Sequence, residues 1–561
     1  MHQPTAHPPL HLPKTSKLPW NNMVDLRNDL NAIRIPVLVI GGGITGLSAA
    51  LFLQQQGIPF LLVERHRTTA IQPKSRTIDV RAMELFRELG LSHTLRDAGK
   101  AMAQAWGILQ GTTLVDALNN RASAAKAPPG GLGGLAQLQP WAAGSPESIC
   151  RCTQDISEAV LFETAIQRGG DLRFNHELIR FTQTDQHVLA VIRNRENDQD
   201  LPVVADYLVA ADGANSLVRT TLHASLTGAG TIANFLNIYF EADLADLVKG
   251  REFSQFLVRE PEITGFLLSI NNSTRWAFHS KFHPELGEGV SHYPEARLVA
   301  LLKRLIGLPD LSIRILSVLP WPLAVRVAEE MQFGRIFLAG DAAHTMTPYA
   351  GKGANAGVQD VHNLAWKLRA VLLDGGDKRL LTTYQTERQS VGAFYARLSG
   401  EMAAPDGLVD EQKMVGQVAN LLGLPNYVYT SEAISGKPVA DQDVPYFTGQ
   451  PGTRLPHQWL DETKQQSTLD WIQGRFILVV SGPLSTWDAI TAQCTRETGL
   501  LLPVYSFADE QEMHSWQTLT STITGDALLV RPDGFVGARL SSALSIAEIV
   551  QLLQKLGAVS E

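Results

Sequence analysis

Residues Ile35 to Glu64 constrain this chain more than any other stretch. IPVLVI at 35–40 is a short apolar run rich in β-branched residues, the pattern of a buried parallel strand. Gly41-Gly42-Gly43-Ile44-Thr45-Gly46 follows at once, a G-x-G-x-x-G. Helical periodicity runs from 44 to 56, Gly57 stops it, and IPFLLV at 58–63 gives a second strand closed by Glu64. Together these make one β-turn-α-β unit. Gly41 permits the tight turn, Gly43 lets a pyrophosphate approach the backbone, and Gly46 lets helix and strand pack closely. The helix N-terminus offers unpaired N–H groups and partial positive charge to phosphates. Glu64 lies eighteen residues past Gly46, near the ~20 expected for the acid that binds ribose hydroxyls. The stretch therefore predicts dinucleotide binding. Glu64 suits FAD or NAD better than NADP here, although Arg65 beside it blurs that distinction.

Composition narrows the class. A length of 561 residues suggests about three or four domains. The 44% hydrophobic and 19% charged content is that of an ordinary soluble globular protein. A net charge of −8 argues against a nucleic-acid surface. Cys150, Cys152 and Cys494 form neither a disulfide framework nor a zinc pattern, which suits a reducing, cytoplasmic setting with no metal site. Residues 1–34 are polar and proline-bearing and read as an extended arm, not a signal peptide. No run of about 18 apolar residues predicts a transmembrane helix.

Further along, Asp79 caps an amphipathic helix to Gly90, with Arg76 and Arg81 weighed as phosphate ligands against solvated side chains. Residues 110–148 show little periodicity and read as a long irregular segment. Gln154 opens a helix to about Gly169, and strands at 171–175, 188–194 and 203–210 follow. The last ends in Asp212-Gly213, outside the carboxyl end of a strand, where open α/β sheets bind ligands. Segments 234–242, 264–270 and 274–281 predict an antiparallel sheet, hence an inserted second domain. RIFLA at 335–339 resumes the first pattern, ending in Gly340-Asp341, a small-residue loop and a helix from about Ala354. A third α/β unit spans strands 475–480, 502–506, 526–531 and 535–539 and helices 485–497 and 544–556.

GGGITG at 41–46, QDISE at 154–158, YLVAADGANSLVR at 207–219 and GDAAHTMTPYAGKGANAGVQDVHNLAWKL at 340–368 resemble the class A flavoprotein monooxygenases, the p-hydroxybenzoate hydroxylase-like family. PGTRLPH at 451–457 and LLVRPDGFVGAR at 528–539 resemble the thioredoxin-like domain of phenol and aromatic polyketide hydroxylases. The resemblance implies an α/β fold with a Rossmann-like FAD-binding domain of glutathione reductase type over 35–100, 150–219 and 326–405. An antiparallel-sheet substrate domain would take 101–149 and 220–325. A linker at 406–444 would lead to a thioredoxin-like domain at 445–561 that lacks C-x-x-C.

It implies bound FAD, NADPH or NADH as reductant, O2, and a small phenolic or polycyclic aromatic substrate hydroxylated through a C4a-hydroperoxyflavin. It implies no nucleic-acid or membrane partner and a monomer or homodimer. Two readings stay open: Baeyer–Villiger oxygenation, and a flavin-binding redox sensor without turnover. By residue, Glu64 and its neighbour Arg65 belong to the ribose, and Arg76 and Gln154 to the phosphates and adenosine end. Asp212 and Gly213 lie near the pyrophosphate, and Gly340 and Asp341 at the ribityl chain. Pro348 covers the reacting flavin edge, while Gly351, Gly353, Ala354 and Asn355 offer backbone donors to the pyrimidine end. Pro348, Gly351 and Gly353 are thus the catalytic loop, with no side-chain nucleophile. Oriented donors and a helix dipole aimed at the negative charge of a reduced flavin are worth about 3 kcal/mol each in a dry site.

Lys352 sits where relatives often carry Phe or Gln and is read as pointing to solvent, with a cation beside the flavin as the alternative. His344 is expected to be structural. Trp106, Tyr239, Trp276 and Phe278 are candidate pocket aromatics, although core packing explains each of them better. No arginine cluster announces a carboxylate-bearing substrate.

Overall fold

The computed structural model describes residues 31–123, 143–260, 262–414, 417–436, 448–557 and 559. Most of the expected N-terminal arm and parts of the expected linker lie outside them. Ile33–Ile40 is the central strand of the first sheet. It runs parallel to Phe60–Glu64 on one side and to Gln199–Ala210 on the other. Ile336–Leu338 extends the sheet in parallel beyond Gln199–Ala210, and Asp171–Phe174 beyond Phe60–Glu64. The register aligns Ile40, Val63, Ala210 and Leu338 at one edge. Three turns distant in sequence therefore meet there: Gly41–Gly46, Ala211–Gly213 and Ala339–Asp341.

The helix Ile44–Gln55 is buried from Ile44 through Leu53 because it lies between this sheet and the helix Gly353–Leu372. Small residues permit that approach. A Cβ on Gly357 would lie 2.3 Å from Thr45 Oγ1.

The second sheet is seven-stranded and, apart from one short parallel edge strand at Ile108–Gln110, antiparallel. The expected segments appear as Leu226–Glu241, Ile263–Ser269 and Arg275–Phe282, joined by Gln255–Glu260 and Arg314–Ala328. The last escaped the sequence reading because Pro320 and Pro322 interrupt its alternation. The fold tolerates them because the strand's far side pairs only at Arg326 and Val327. Strand alternation gives the sheet two faces. Leu236, Ile238, Trp276 and Phe278 pack with the leucine stripe of the helix Glu295–Ile306. Phe235, Tyr239, Phe266 and Leu268 cluster instead with Tyr349 and Ala350 of the Gly-rich loop. The segment read as irregular, 110–148, contains a helix at Leu114–Ser123, and 124–142 lies outside the described residues.

The C-terminal unit orders its strands Val504–Tyr505, Ile477–Val480, Ala527–Val530, Val536–Leu540, parallel only in the first pair. A helix at Glu510–Thr520, absent from the sequence reading, joins those at Ser485–Thr498 and Ile546–Lys555. A buried ion network fastens this unit to the rest. Glu387 accepts from Arg531 at 2.6 and 2.8 Å and from Lys367 at 2.8 Å. Arg531 also pairs with Asp533 in the hairpin turn. Burial would raise Glu387, but Arg531 and Lys367 outweigh it and hold the carboxyl well below its ordinary range.

Candidate cofactor and substrate site

The glycine-rich turn shows which of its glycines packing demands. Gly41 has φ +106°, and a Cβ there would lie 2.3 Å from the Ala211 carbonyl. On Gly46 a Cβ would lie 1.9 Å from the Gly41 carbonyl. Gly43 differs: the nearest atom to its Cβ position is Glu158 Oε1 at 3.6 Å. Gly43 thus keeps the helix N-terminus approachable, the room a phosphate needs. Glu64 ends the neighbouring strand and accepts from the Gly42 N–H at 2.6 Å and the His66 N–H at 2.8 Å. Arg65 is exposed, its carbonyl accepting from Arg195.

Glu158 was passed over by sequence reasoning although QDISE contains it. Its carboxylate accepts from the Ile44 N–H at 3.0 Å, the Ala70 N–H at 2.8 Å and Gln154 Nε2 at 2.6 Å. Burial raises its pKa. It ties the Gly-rich helix start to the 65–78 loop. The usable signal was the i, i+4 spacing that puts Gln154 and Glu158 on one helix face. Gln154 Oε1 accepts from the Ser75 N–H at 3.3 Å, holding the same loop.

At the second turn, Asp212 accepts from Ser216 Oγ at 2.5 Å and the Val218 N–H at 3.1 Å, so its carboxylate caps the next helical turn. Gly213 has φ +81° and nothing within 4 Å of its Cβ position. At the third turn, the Gly340 N–H donates to Asp360 Oδ2 at 3.0 Å. Asp360 also bonds His344 Nε2 and Arg388 Nε, both at 2.8 Å. Burial would raise Asp360, but His344 and Arg388 together hold it below its ordinary range. His344 is thus a buried tie between loop and helix. Arg219 donates to the Ala214 and Ala342 carbonyls and so joins the second turn to the third. Asp341 keeps solvent access, yet surrounding protein raises its pKa against the pull of His344, Lys74 and Arg219.

The loop that follows makes a short turn at Pro348–Ala350, then Gly351 with φ +64° and an open Cβ position. Gly353 and Ala354 begin the long helix, whose first N–H groups have no intrahelical acceptor. Asn355 fixes this loop. Its Oδ1 accepts from the Asp79 N–H at 3.0 Å, and its Nδ2 donates to the Gly351 and Thr77 carbonyls.

Lys352 corrects the expectation of a solvated side chain. It is fully buried, with Nζ 2.8 Å from Asp79 Oδ2 and 5.4 Å above the Tyr395 ring. Arg81 is likewise not a free phosphate ligand: it pairs with Glu84 and donates to the Asp533 carbonyl. Trp276 and Phe278 lie on the sheet face away from the loop, whereas Tyr239 lies on the facing side. Trp106 is largely exposed beneath Arg151.

The structure also assembles an arginine pair that spacing hid. Arg76 donates to the Ser254 and Ser269 carbonyls at 2.8 and 3.0 Å, and Arg151 to Thr77 Oγ1 and Ser254 Oγ at 2.7 Å. Burial, with Arg151 alongside, depresses Arg76 well below the ordinary guanidinium range.

Residues 34–399 match the FAD binding domain family, and residues 448–556 match the aromatic-ring hydroxylase C-terminal family. The chain belongs to the FAD-dependent aromatic-ring hydroxylases. A putative polyketide hydroxylase of Streptomyces halstedii is 36% identical over 90% of this chain and 93% of the relative. The tetracenomycin B2 monooxygenase-dioxygenase of Streptomyces olivaceus is 34% identical over 93% and 98%. Among solved structures, the flavin-dependent monooxygenase PieE with FAD and substrate superposes at TM-score 0.81, with 28% identity over 94% of this chain and 99% of that one. Aklavinone-11 hydroxylase with FAD and aklavinone gives 0.80, 27%, 94% and 100%. The cradle fits the cofactor of this hydroxylase family: Gly43, Gly213 and Gly351 leave space where packing has closed it at Gly41, Gly46 and Gly340. Among the described residues no cluster suits a metal ion, and no helix is long and apolar enough to cross a membrane.

Proposed function

We propose that this hydroxylase uses NADPH or NADH and O2 to hydroxylate a phenolic, fused-ring aromatic substrate. The carrying observation is the convergence of three strand-end turns on a cradle that faces one side of the antiparallel sheet. In this reading the parallel-sheet part holds FAD and the antiparallel sheet holds the substrate. Glu64 takes the ribose, with Arg65 beside it at the strand end. The Gly43 turn, Gln154 and Gly213 serve the phosphates, with Asp212 shaping the Gly213 turn and Arg76 steering from the sheet side. Gly340 and Asp341 serve the ribityl chain. FAD, when bound, supplies the redox and oxygen-activating chemistry.

The chain's own part is positional. Pro348 and the apolar sheet face exclude water from the reacting edge. The N–H groups from Gly351 to Asn355 are fixed by the Asn355 and Lys352 contacts and point their dipoles at negative charge on the pyrimidine end. Neither task needs a nucleophile. The relatives that act on polycyclic polyketides support a substrate of that chemistry. The test is aerobic NADPH and NADH consumption with phenols and polyketide aglycones, followed by product analysis under labelled O2. Substrate-stimulated consumption with one labelled phenolic oxygen is expected. No stimulation by any aromatic would overturn the reading, and a labelled lactone would replace hydroxylation by ring expansion.

A further inference from the structure

The sheet face turned toward the Pro348–Ala350 turn carries polar side chains among its apolar ones. Across the strands, Leu319, Asn237, His279, Phe266 and Leu257 form a single row. Asn237 and His279 are only 7% and 8% exposed. Asn237 Oδ1 and His279 Nδ1 have no hydrogen-bond partner, and neither does Gln255 Nε2 on the same face. Buried polar atoms are almost always satisfied in native proteins, so three orphans on one face call for a ligand. The row is not loosely packed. His279 stacks on Phe266 at 4.5 Å and 14° and meets Trp321 edge-on at 5.3 Å. Phe266 and Trp321 hold the ring in place, and its Nδ1 is left without a partner. Burial and the charge of Arg76 push His279 down to about 3, so the imidazole is neutral at working pH and can donate from one nitrogen. Arg76 and Arg151 make no ion pair among the described residues. The positive field at that end of the sheet favours electron-rich oxygens.

We propose that Asn237, His279 and Gln255 are the specificity residues of the substrate site, recognising a fused-ring aromatic through a ring hydroxyl donated to Asn237 and a ring carbonyl that accepts from His279 or Gln255. The inference rests on the hydroxylase reading, because that reading places the substrate between this face and the flavin. Hydrocarbon rings and simple phenols satisfy only part of the set, and a benzoate without a ring hydroxyl has no donor for Asn237.

The test titrates FAD-loaded protein with 2,6-dihydroxyanthraquinone and with its 2,6-dimethyl isostere, following the flavin spectrum. Wild type should prefer the hydroxylated ring by about tenfold or more, the worth of one buried hydrogen bond. Asn237→Leu should bring the two affinities within about twofold with FAD content unchanged, whereas His279→Phe, which removes a donor to the carbonyl that both rings carry, should weaken both rings by a similar factor of about tenfold. His279→Gln, which restores an amide donor at that place, should recover most of the affinity lost in His279→Phe. Equal binding of both rings by FAD-loaded wild type, an unchanged preference in Asn237→Leu, or unchanged affinity for both rings in His279→Phe overturns the assignment and leaves the hydroxylase reading standing. Wild type that takes up no FAD overturns both.

Discussion

Two polar interiors of this molecule are built in opposite ways. Around Glu387 the charges balance: Arg531 and Lys367 answer Glu387 and Asp533, and Ser431 and Asn363 fill the remaining oxygen positions. Around Arg76 they do not balance. Two guanidiniums meet over backbone carbonyls and one serine hydroxyl, and three buried polar atoms near them are orphaned. The first arrangement is complete without any ligand and keeps the C-terminal unit in place. The second is complete only when something oxygen-rich enters. Balanced buried charge marks architecture here, and the orphaned polar atoms beside two guanidiniums that make no ion pair among the described residues mark the face proposed to take substrate.

The largest expected effect breaks the cofactor side of that contrast. Gly43→Glu places a carboxylate where the open Cβ position faces Glu158 and the helix N-terminus. It fills the space and repels phosphate, so the purified variant should be colourless and stay so on incubation with FAD. A yellow variant with wild-type FAD content would sink the placement of the phosphates. The next effect strikes the closed network. Arg531→Met leaves Glu387 and Asp533 with only Lys367 for charge, and removing one partner from a buried ion pair costs about 3–5 kcal/mol. Urea unfolding should show that loss while FAD binding per folded molecule is unchanged. A loss below 1 kcal/mol would mean that the network carries no fold stability.

The parallel sheet and its glycine turns were legible because short-range physics dictates them. An apolar run, a glycine at positive φ and a helix start leave few alternatives. The same holds for the three-turn convergence, which follows once parallel strands share an edge. What stayed hidden depends on contacts across long separations. Arg76 and Arg151 are each unremarkable among charged neighbours until Ser254 brings them together. Asn237 and His279 are single polar residues in apolar strands, and nothing local says whether they face Trp276's side or Tyr349's. Lys352 reads as solvated because lysine usually is; its partner Asp79 also caps a helix, and one carboxylate performs both tasks. The strand with Pro320 and Pro322 was lost to a rule that holds for central strands and fails where one side is unpaired.

Lys352 tests whether the loop after Pro348 belongs to the closed kind of interior or the open kind. Its ion pair with Asp79 is closed, and Asp79 keeps its bond to the Ala82 N–H when the lysine is removed. Lys352→Met breaks one ion pair where Arg531→Met breaks two, so it should cost about 3 kcal/mol, the low end of the same range. Because the same residue caps the helix whose N–H groups are proposed to serve the pyrimidine end, the variant should also lower the flavin reduction potential measured by dye equilibration. Stability lost with the potential unmoved would assign Lys352 to packing alone.

The smallest effect is a slope. His279 sits at about 3 against an ordinary value of 6.5, so the folded chain declines a proton that the unfolded chain accepts between those values. Stability from this group is complete above pH 6.5 and is lost as pH falls toward 3, at about 1.4 kcal/mol per pH unit for one proton. His457, held near 4 by burial with Arg454 beside it, adds a second such term. Comparison between pH 6.5 and 5 stays clear of Glu387, whose unfolded counterpart titrates near 4.5. Over that interval His279→Phe should lose about 2 kcal/mol less than wild type in urea unfolding. The phenyl ring keeps the stack on Phe266, so the difference reports the proton and not the packing. Equal slopes would mean that the imidazole finds its partner within the fold after all, and the open character of that sheet face would go with it.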